Sequence, residues 1–291
     1  MYLDEDVVLD LRLNCLNNYI DKFVIVESKF THSGEKRELN FDIKNFEKFK
    51  EKIIYLVLDH EPTDIQKIND GDDEKTKNSK YILNGMRRDF CQRNFIVNGL
   101  KESKDDDFIL ISDLDEIPKL DNIDLHSIKE KFVFFKQKMF YYKFNLCSKS
   151  VIWTGTRGCK KKYFKSPQWL RNIKGRSYPK WRLDIIFSKN KYSDINFIQN
   201  GGWHFSYIKT PDLIEKKLKS YLHHREYDLN PVGIDGIKKM IENKKAIYNL
   251  KQDQRSLNKI GSGEKLSKID LTNLPEYISS NKERFNEWIE D

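Results

Sequence analysis

An α/β fold is predicted for this 291-residue chain by three observations. Short apolar runs at residues 22–27, 53–58 and 108–111 have the length and composition of buried strands. A helical pattern separates the last two runs, and the pattern is again helical beyond Pro211. Because strands that alternate with helices are typical of layered α/β proteins, we expect such layers over about the first 120 residues.

Local residue types predict the first loops and the first long helix. Residues 31–35 carry loop-forming Thr, Ser and Gly after the first strand, and the acid-rich residues 70–80 are expected to form an exposed, mobile loop. Ser79 is a candidate cap for a helix that runs to about Gly99. The buried face of that helix is predicted from its apolar stripe, which comprises Ile82, Met86, Phe90 and Val97. The other faces are expected to carry Arg87, Arg88 and Arg93.

The rest of the chain divides into two parts. Residues 132–207 are rich in aromatic side chains and short strand patterns. Helices are predicted after them, and they cover residues 213–221, 234–248 and 275–289. A Lys-, Ser-, Gly- and Asn-rich stretch at 256–268 predicts a linker before the last helix.

Composition excludes several classes of protein. Hydrophobic residues make up 38% and aromatic residues 13%, which excludes a collagen-like or wholly disordered chain. No apolar run approaches the roughly 20 residues of a membrane helix, and the acidic residues 1–6 do not resemble a secretory signal. We therefore expect a soluble, cytoplasmic protein without a signal peptide. The net charge of +8 suits anionic partners, but the absence of a basic stripe argues against nucleic acid.

Three carboxylates follow the third apolar run within four positions: Asp113, Asp115 and Glu116. Like charges this close repel by roughly 1 kcal/mol per pair in water, and by more where water is scarce. A divalent cation would relieve that repulsion, and Mg²⁺ and Mn²⁺ accept carboxylate oxygens as ligands. The residues therefore favour a metal site that a nucleotide diphosphate would complete. The alternative is a solvated turn in which Asp113 caps backbone amides.

A second candidate cluster lies at residues 200–207. Gly201 and Gly202 allow a positive φ or a close approach of the backbone to a neighbouring group. His204 follows them between large aromatic side chains. The residues leave two interpretations open for His204, a histidine packed in the core or a metal ligand.

Six blocks of this sequence resemble glycosyltransferase family 17, whose members include β-1,4-N-acetylglucosaminyltransferases and bacterial and viral proteins. Their order and spacing over more than half of the chain make the resemblance specific. The blocks are Asp10–Asn14, Phe23–Gly34, Arg87–Phe90, Ile111–Pro118, Pro167–Arg171 and Gly202–Tyr207. The resemblance also favours the cytoplasm of a bacterium or of a virus-infected host cell.

The resemblance implies a GT-A fold, in which a Rossmann-like half binds a nucleotide-sugar and a second half binds the acceptor. It implies a catalytic core over residues 1–208 and a helical extension over 209–291 that packs on the core. It further implies inverting transfer from a UDP-sugar, above all UDP-N-acetylglucosamine, to a glycan with Mn²⁺ or Mg²⁺. By the same analogy Asp115 is the primary metal ligand, Asp113 assists it or contacts ribose, and His204 is a further ligand.

Other roles in such a reaction have candidates among the charged residues. Guanidinium groups match phosphate geometry, so the leaving diphosphate has three candidate partners, which are Arg87, Arg88 and Arg171. Each could equally be a surface or salt-bridged arginine. An inverting enzyme needs a carboxylate base, and both Glu116 and Asp184 are candidates. Glu27, at a strand end, is a candidate contact for the nucleotide.

Two other functions stay open at this point. One is a nucleotide- or carbohydrate-binding protein that keeps the fold without turnover. The other is a metal-dependent phosphohydrolase that uses the Asp-x-Asp pair. A nucleophilic-aspartate hydrolase usually has Thr or Ser two residues after the second acid of the motif, and Ile117 stands there. The sequence therefore favours the transferase.

Overall fold

The computed structural model describes residues 1–179, 181–185, 187–250 and 260–291, and it has the predicted mixture of helices and strands. The described helices are α1 (Asp6–Leu16), α2 (Glu74–Phe95), α3 (Pro167–Asn172), α4 (Pro211–Ser220), α5 (His224–Leu229), α6 (Gly233–Glu242) and α7 (Glu276–Ser280). The described strands are β1 (Phe23–Ser28), β2 (Ile53–Leu58), β3 (Phe108–Ile111), β4 (Glu116–Pro118), β5 (Phe132–Tyr141), β6 (Leu146–Lys160), β7 (Ile195–Ile198), β8 (Gly202–Ser206) and β9 (Ser267–Lys268).

The strands form two sheets instead of one. β1 and β2 pair in parallel, with Phe23 opposite Ile53. The larger sheet has the order β3-β6-β5-β8-β4, with β7 beside β5 and β9 beside β6. Its long β5–β6 pair is antiparallel, whereas β8 runs parallel to β5 and antiparallel to β4. The three apolar runs are confirmed as strands, and the aromatic middle of the chain forms the centre of the larger sheet.

The main hydrophobic core is built by aromatic side chains of β5 and β8. Phe135 and Phe140 of β5 and Phe205 of β8 are almost fully buried together with leucines of α1. Such burial contributes about 1.5–3 kcal/mol for each large side chain. No helix in the described ranges is long and apolar enough to cross a lipid bilayer.

Helix α2 differs from its sequence prediction at its start and on its buried face. Asp73, not Ser79, caps it by accepting a hydrogen bond from the amide of Thr76, so part of the predicted loop is helical. The predicted apolar stripe is only partly buried, and Val97 is exposed. The buried residues of the helix are Asn84, Gly85, Asp89, Gln92 and Arg93. The prediction is wrong because this helix packs polar groups against polar partners, which apolar periodicity cannot detect.

The C-terminal part is less helical than its sequence suggests. Helix α6 ends at Glu242, close to Lys244, whose φ of +51° is incompatible with a continuing right-handed helix. The last predicted helix is reduced to α7 and a short 3₁₀ turn at Asn286–Trp288. Residues 256–259 of the predicted linker lie outside the described residues, and its end forms β9, which pairs with β6.

The close approach predicted for the glycine pair is confirmed. Gly202 has a φ of +122°, and a Cβ atom there would lie 2.2 Å from the carbonyl oxygen of Ile117 on β4. A Cβ atom at Gly201 would lie 2.8 Å from the carbonyl oxygen of Ile198. Glycine at position 202 is therefore what lets β8 lie beside β4.

Gly202→Ala should reduce the free energy of unfolding by about 1–3 kcal/mol, because alanine combines backbone strain with a clash against β4. The measurement is denaturant unfolding at neutral pH. Gly71→Ala is the matched control, because a Cβ atom at Gly71 would meet no atom within 4 Å. We expect the control to change stability by less than about 0.5 kcal/mol. Equal effects of the two substitutions would contradict the role of Gly202.

Candidate active site

The predicted acid cluster forms a tight turn between β3 and β4. The amide of Glu116 donates a hydrogen bond to the carbonyl oxygen of Asp113 at 3.1 Å. Arg12 of α1 clamps the same turn, because its Nη1 donates to the carbonyl oxygens of Glu116 at 2.5 Å and Asp113 at 3.5 Å. Burial lowers the pKa of Arg12 to about 10, against the opposing effect of the nearby carboxylates. The turn therefore has a half-buried cation beneath its backbone.

The Asp113 side chain lies between two arginines. Arg93 Nη2 of α2 donates to its Oδ1 at 3.1 Å, and Arg171 Nη2 of α3 donates to its Oδ2 at 2.9 Å. Burial alone would raise the pKa of Asp113, but the charges of Arg171 and Arg93 outweigh it and hold the pKa well below its ordinary value. The repulsion expected among the carboxylates is thus relieved at Asp113 by arginines that the chain itself supplies.

Glu116 is fully buried, and both of its carboxylate oxygens are occupied. Arg171 Nη2 and Trp153 Nε1 donate to Oε1 at 2.8 and 2.7 Å. Arg171 Nη1 and the amide of Asp113 donate to Oε2 at 2.7 and 3.0 Å. As placed, Glu116 has no free oxygen with which to accept a proton from a substrate hydroxyl, so its position is that of an anchor for Arg171.

Asp115 and His204 meet across the β4–β8 pair. Glu116 lies opposite His204 in the ladder, and His204 Nε2 lies 3.4 Å from Asp115 Oδ1. His204 is 8% exposed, and its ring centroid lies 5.4 Å from that of Trp153. Its Nε2 also lies 3.2 Å from Ser206 Oγ, whereas its buried Nδ1 has no hydrogen-bond partner in the structure. The register of the β4–β8 pair thus brings His204 next to Asp115.

The charges of this pair support each other. Burial would lower the pKa of His204, but the nearby Asp115 carboxylate outweighs it and raises that pKa. In the opposite direction, burial would raise the pKa of Asp115, and His204 outweighs it and lowers that pKa. Both groups therefore have a stronger tendency to be charged than when each is alone.

Lys217 of α4 adds a third cation to this edge. Its Nζ lies 3.3 Å from Glu5 Oε1, 3.9 Å from Asp115 Oδ2 and 5.4 Å from the centroid of the Tyr207 ring. Burial would lower the pKa of Lys217, but Glu5 and Asp115 outweigh it and raise that pKa. Asp115 thus lies between an imidazole and an ammonium group.

Sequence reasoning missed three cations of this site, which are Arg12, Arg93 and Lys217. A signal existed for Arg93, because Asp89 stands four residues before it and the two form an ion pair at 2.6 Å on one helix face. Arg93 Nη1 also donates to Gln168 Oε1 of α3 at 2.5 Å. No local pattern distinguishes Arg12 or Lys217, since their partners lie about 100 residues away in the sequence.

Of the three arginines predicted for a diphosphate, the structure brings only Arg171 to the acid turn. Arg87 pairs with Asp64, with Nε 2.8 Å from Oδ2. Arg88 pairs with Glu61 at 2.6 Å and donates to the carbonyl oxygen of His32 at 3.3 Å. Arg87 and Arg88 are therefore salt-bridged, which is the alternative to a diphosphate contact that the sequence left open.

Glu27 is also held by groups of its own chain. It is fully buried and accepts hydrogen bonds from Arg37 Nη2 at 2.6 Å, Tyr55 Oη at 2.8 Å, and the amides of Asn40 and Phe41. These bonds fasten the segment after β1 to the β1–β2 sheet. They occupy both carboxylate oxygens that a nucleotide contact would need.

Asp184 lies apart from the acid turn. It belongs to a short 3₁₀ turn at Leu183–Ile185 and pairs with Arg182 at 2.5 Å and Lys191 at 2.6 Å. Its side chain is half exposed, and Trp181 and Leu183 beside it are largely exposed. None of the bonds found for Asp184 reaches Asp113, Asp115 or His204.

The acid turn offers two neighbouring side chains, not three, as ligands for a metal ion. Within the residues that the structure describes, no group of three or more His, Cys, Asp or Glu side chains surrounds a common point. Asp115 and His204 are the predicted ligands that face each other, whereas both oxygens of Asp113 are used by arginines. One carboxylate and one imidazole would leave most coordination positions of a divalent cation to water and substrate phosphates.

Comparison with known proteins gives one consistent result. The family model of glycosyltransferase family 17 matches residues 1–289. Human β-1,4-mannosyl-glycoprotein 4-β-N-acetylglucosaminyltransferase is 29% identical over 236 residues, which cover 73% of this chain and 40% of the human protein. The rat and mouse proteins of the same name are 29% and 28% identical over the same length. The match thus spans less than half of these relatives, and no solved structure shows a significant match.

Arg171→Met should reduce the free energy of unfolding by about 3–5 kcal/mol, because it leaves the buried Glu116 and its neighbour Asp113 without their shared cation. Denaturant unfolding at neutral pH measures the change. Arg182→Met removes an exposed ion-paired arginine and serves as the control, with an expected change below about 0.5 kcal/mol. A loss for Arg171→Met no larger than for the control would mean that the turn does not depend on this arginine.

Proposed function

The chain belongs to glycosyltransferase family 17, as its sequence motifs predict, and we propose that it transfers N-acetylglucosamine from a UDP-sugar to a hydroxyl group of a glycan. We propose that the transfer inverts the anomeric carbon and requires Mn²⁺ or Mg²⁺. The observation that carries the proposal is the placement of Asp115 and His204 face to face at the acid turn of a chain that matches this family over residues 1–289.

The sugar in this proposal is supported by the relatives, whose name describes N-acetylglucosaminyltransferases that act on a mannosyl-glycoprotein. We carry over the transferred sugar because the matched segment covers 73% of this chain. The acceptor is proposed only as a glycan hydroxyl. Half-exposed or exposed aromatic side chains such as Trp181 could stack on its sugar rings.

Asp115 and His204 would hold the cation, and a bound Mn²⁺ or Mg²⁺ would neutralise charge on the leaving diphosphate as a Lewis acid. Asp113, fixed by Arg93 and Arg171, accepts one arginine hydrogen bond on each oxygen and would accept a further one from a ribose hydroxyl. Lys217 keeps an ammonium group at the same edge, where it would attract the diphosphate.

In the reaction we propose, the acceptor oxygen forms a bond to the anomeric carbon while the bond from that carbon to the UDP oxygen breaks. UDP leaves with the bonding electrons, and a carboxylate takes the proton of the acceptor hydroxyl. Of the two carboxylates expected as base, Asp184 is the accessible one, because the oxygens of Glu116 are occupied. Asp184 would serve only in a complex that brings the acceptor to its loop.

We also propose a GT-A fold for the core, with residues 1–208 as the catalytic part and 209–291 as an extension. The β1–β2 sheet with α2 is consistent with a nucleotide-binding half. The extension is joined to the core by β9, whose Ser267 lies opposite Cys147 of β6. Helix α4 reaches the acid turn through Lys217, so the extension contributes to the site as well as to the fold.

The test is incubation with UDP-N-acetylglucosamine, Mn²⁺ and simple glycan acceptors. Release of UDP together with a glycosylated acceptor supports the proposal. Release of inorganic phosphate would indicate a phosphohydrolase, and binding without turnover would indicate a non-catalytic protein. Other UDP-sugars in parallel reactions identify the donor.

Asp115→Asn should lower UDP release by about a hundredfold or more, because it keeps the shape of the side chain but removes the charge that holds the cation. Initial rates at saturating Mn²⁺ measure the effect. Asp106→Asn is the control, since Asp106 is an exposed partner of Lys162 on the surface. A near-normal rate for Asp115→Asn would remove Asp115 from the metal site.

His204→Ala should abolish most of the rise in melting temperature that Mn²⁺ and UDP together produce in the unmodified protein. It should also lower stability without ligands, because His204 is packed against Trp153 and paired with Asp115. His224→Ala is the matched control, as His224 is equally buried and its Nδ1 lies 3.0 Å from Asp228. The control should lose stability yet retain the full ligand-induced shift. The same behaviour in His204→Ala would show that His204 is only a packing residue.

A further inference from the structure

The most exposed apolar side chains of the described residues are grouped in one loop. Trp181, Leu183 and Phe187 are 82%, 73% and 88% exposed, and no other large apolar side chain that the structure describes exceeds 59%. They lie within seven positions of one another, around the 3₁₀ turn at Leu183–Ile185. We call these three side chains the apolar tip. Single exposed apolar residues are common, but three in one loop indicate a surface that contacts another molecule.

The loop that carries the apolar tip is closed at its base. The amide of Lys174 donates to the carbonyl oxygen of Asn190 at 2.7 Å, and Trp169 Nε1 of α3 donates to the carbonyl oxygen of Lys189 at 3.1 Å. The chain therefore leaves and re-enters the molecule at neighbouring points, as in an Ω-loop. The apolar tip belongs to the middle of this loop, away in sequence from its fixed base.

The basic excess of the chain is concentrated around this loop. Residues 160–191 contain eleven Lys and Arg against one acid, Asp184. This segment has a net charge of +10, which exceeds the +8 of the whole chain, so the remaining residues are slightly acidic overall. Asp184 is itself paired with Arg182 and Lys191. The segment therefore presents a cationic surface.

Three cations of the segment stand close to the base of the loop and are exposed. They are Lys174, Arg176 and Lys189, and within the ranges that the structure describes no carboxylate lies within ion-pair distance of them. An apolar centre with cations beside it matches the surface of a bilayer that contains anionic lipids. Apolar side chains enter the boundary between headgroups and acyl chains, where Trp is favoured, and Lys and Arg contact the headgroups.

We propose that the apolar tip and the cations at the base of its loop dock this protein on the surface of a lipid bilayer that contains anionic lipids. A second copy of the chain fits this surface less well, because a two-fold pair would place the same cations beside each other. A nucleic acid would use the cations and stack on Trp181, but it would leave Leu183 without a matching contact. A neutral glycan would leave the cations without a partner.

The test is co-sedimentation of the full chain with lipid vesicles. One set consists of phosphatidylcholine alone, and the other contains about one-third phosphatidylglycerol, which supplies the negative surface potential. Binding should be at least about tenfold tighter to the anionic vesicles, and it should weaken as salt is added, because salt screens the contacts between cations and headgroups.

A variant that carries both Trp181→Ser and Phe187→Ser should bind the anionic vesicles at least about tenfold more weakly, because it loses most of the inserted apolar area. The matched control carries Ile152→Ser and Leu229→Ser, which remove two exposed apolar side chains elsewhere, and it should bind as the unmodified protein does. Melting temperatures of the two variants verify that both are folded.

The contribution of charge is tested with Lys174→Glu and Lys189→Glu together. Each cation near an anionic surface adds about fivefold to the affinity, so this variant should also bind at least about tenfold more weakly. The control carries Lys75→Glu and Lys282→Glu, which change the net charge equally at exposed positions outside the loop. We expect the control to lose less than about threefold.

Equal binding to neutral and anionic vesicles would overturn the proposal, and so would undiminished binding by the variant of the apolar tip. Two further results would overturn it by identifying another partner. One is a dimer in solution that the variant of the apolar tip loses, and the other is a single-stranded oligonucleotide that binds the loop more tightly than the anionic vesicles do. None of these readouts involves sugar transfer, so the result is independent of the proposed transferase activity.

Discussion

The arrangement of this protein depends on the neutralisation of three carboxylates within four residues. Each of the first three helices supplies one arginine to the turn that carries them: Arg12 from α1, Arg93 from α2 and Arg171 from α3. Such charges are tolerated away from water only when they are paired and hydrogen-bonded. The turn therefore determines where the three helices lie, and the helices in turn fix the direction of the Asp113 and Glu116 side chains.

Because of this pairing, the three carboxylates differ in how many of their oxygen acceptor positions are already occupied. Glu116 and Asp113 are held by guanidinium groups, whereas Asp115 faces His204 and Lys217 at longer distances of 3.4 and 3.9 Å. The carboxylates are close in sequence but differ in what they can bind. Asp115 is therefore the least occupied of the three carboxylates.

The sequence predicts the parts of the fold that depend on local pattern. The apolar runs at residues 22–27, 53–58 and 108–111 are strands, and the acid turn follows the third of them as expected. The family is also recognisable from short motifs. Apolar periodicity does not predict the buried face of α2, because Arg93 pairs with Asp113, 20 residues later, and with Gln168, 75 residues later. Arg87 and Arg88 illustrate the converse, since these arginines, six and five residues earlier on the same helix, pair with Asp64 and Glu61 instead.

The polar buried face of α2 also has a consequence for the order in which the chain folds. A helix with little apolar surface to bury gains little from early collapse, and its Arg93 is costly to desolvate before its partners are in place. Those partners lie on the β3–β4 turn and on α3, and contacts between such distant residues close large loops. Helix α2 should therefore dock late, after the strands and α3 have assembled, and the acid turn should be among the last parts of the molecule to become rigid.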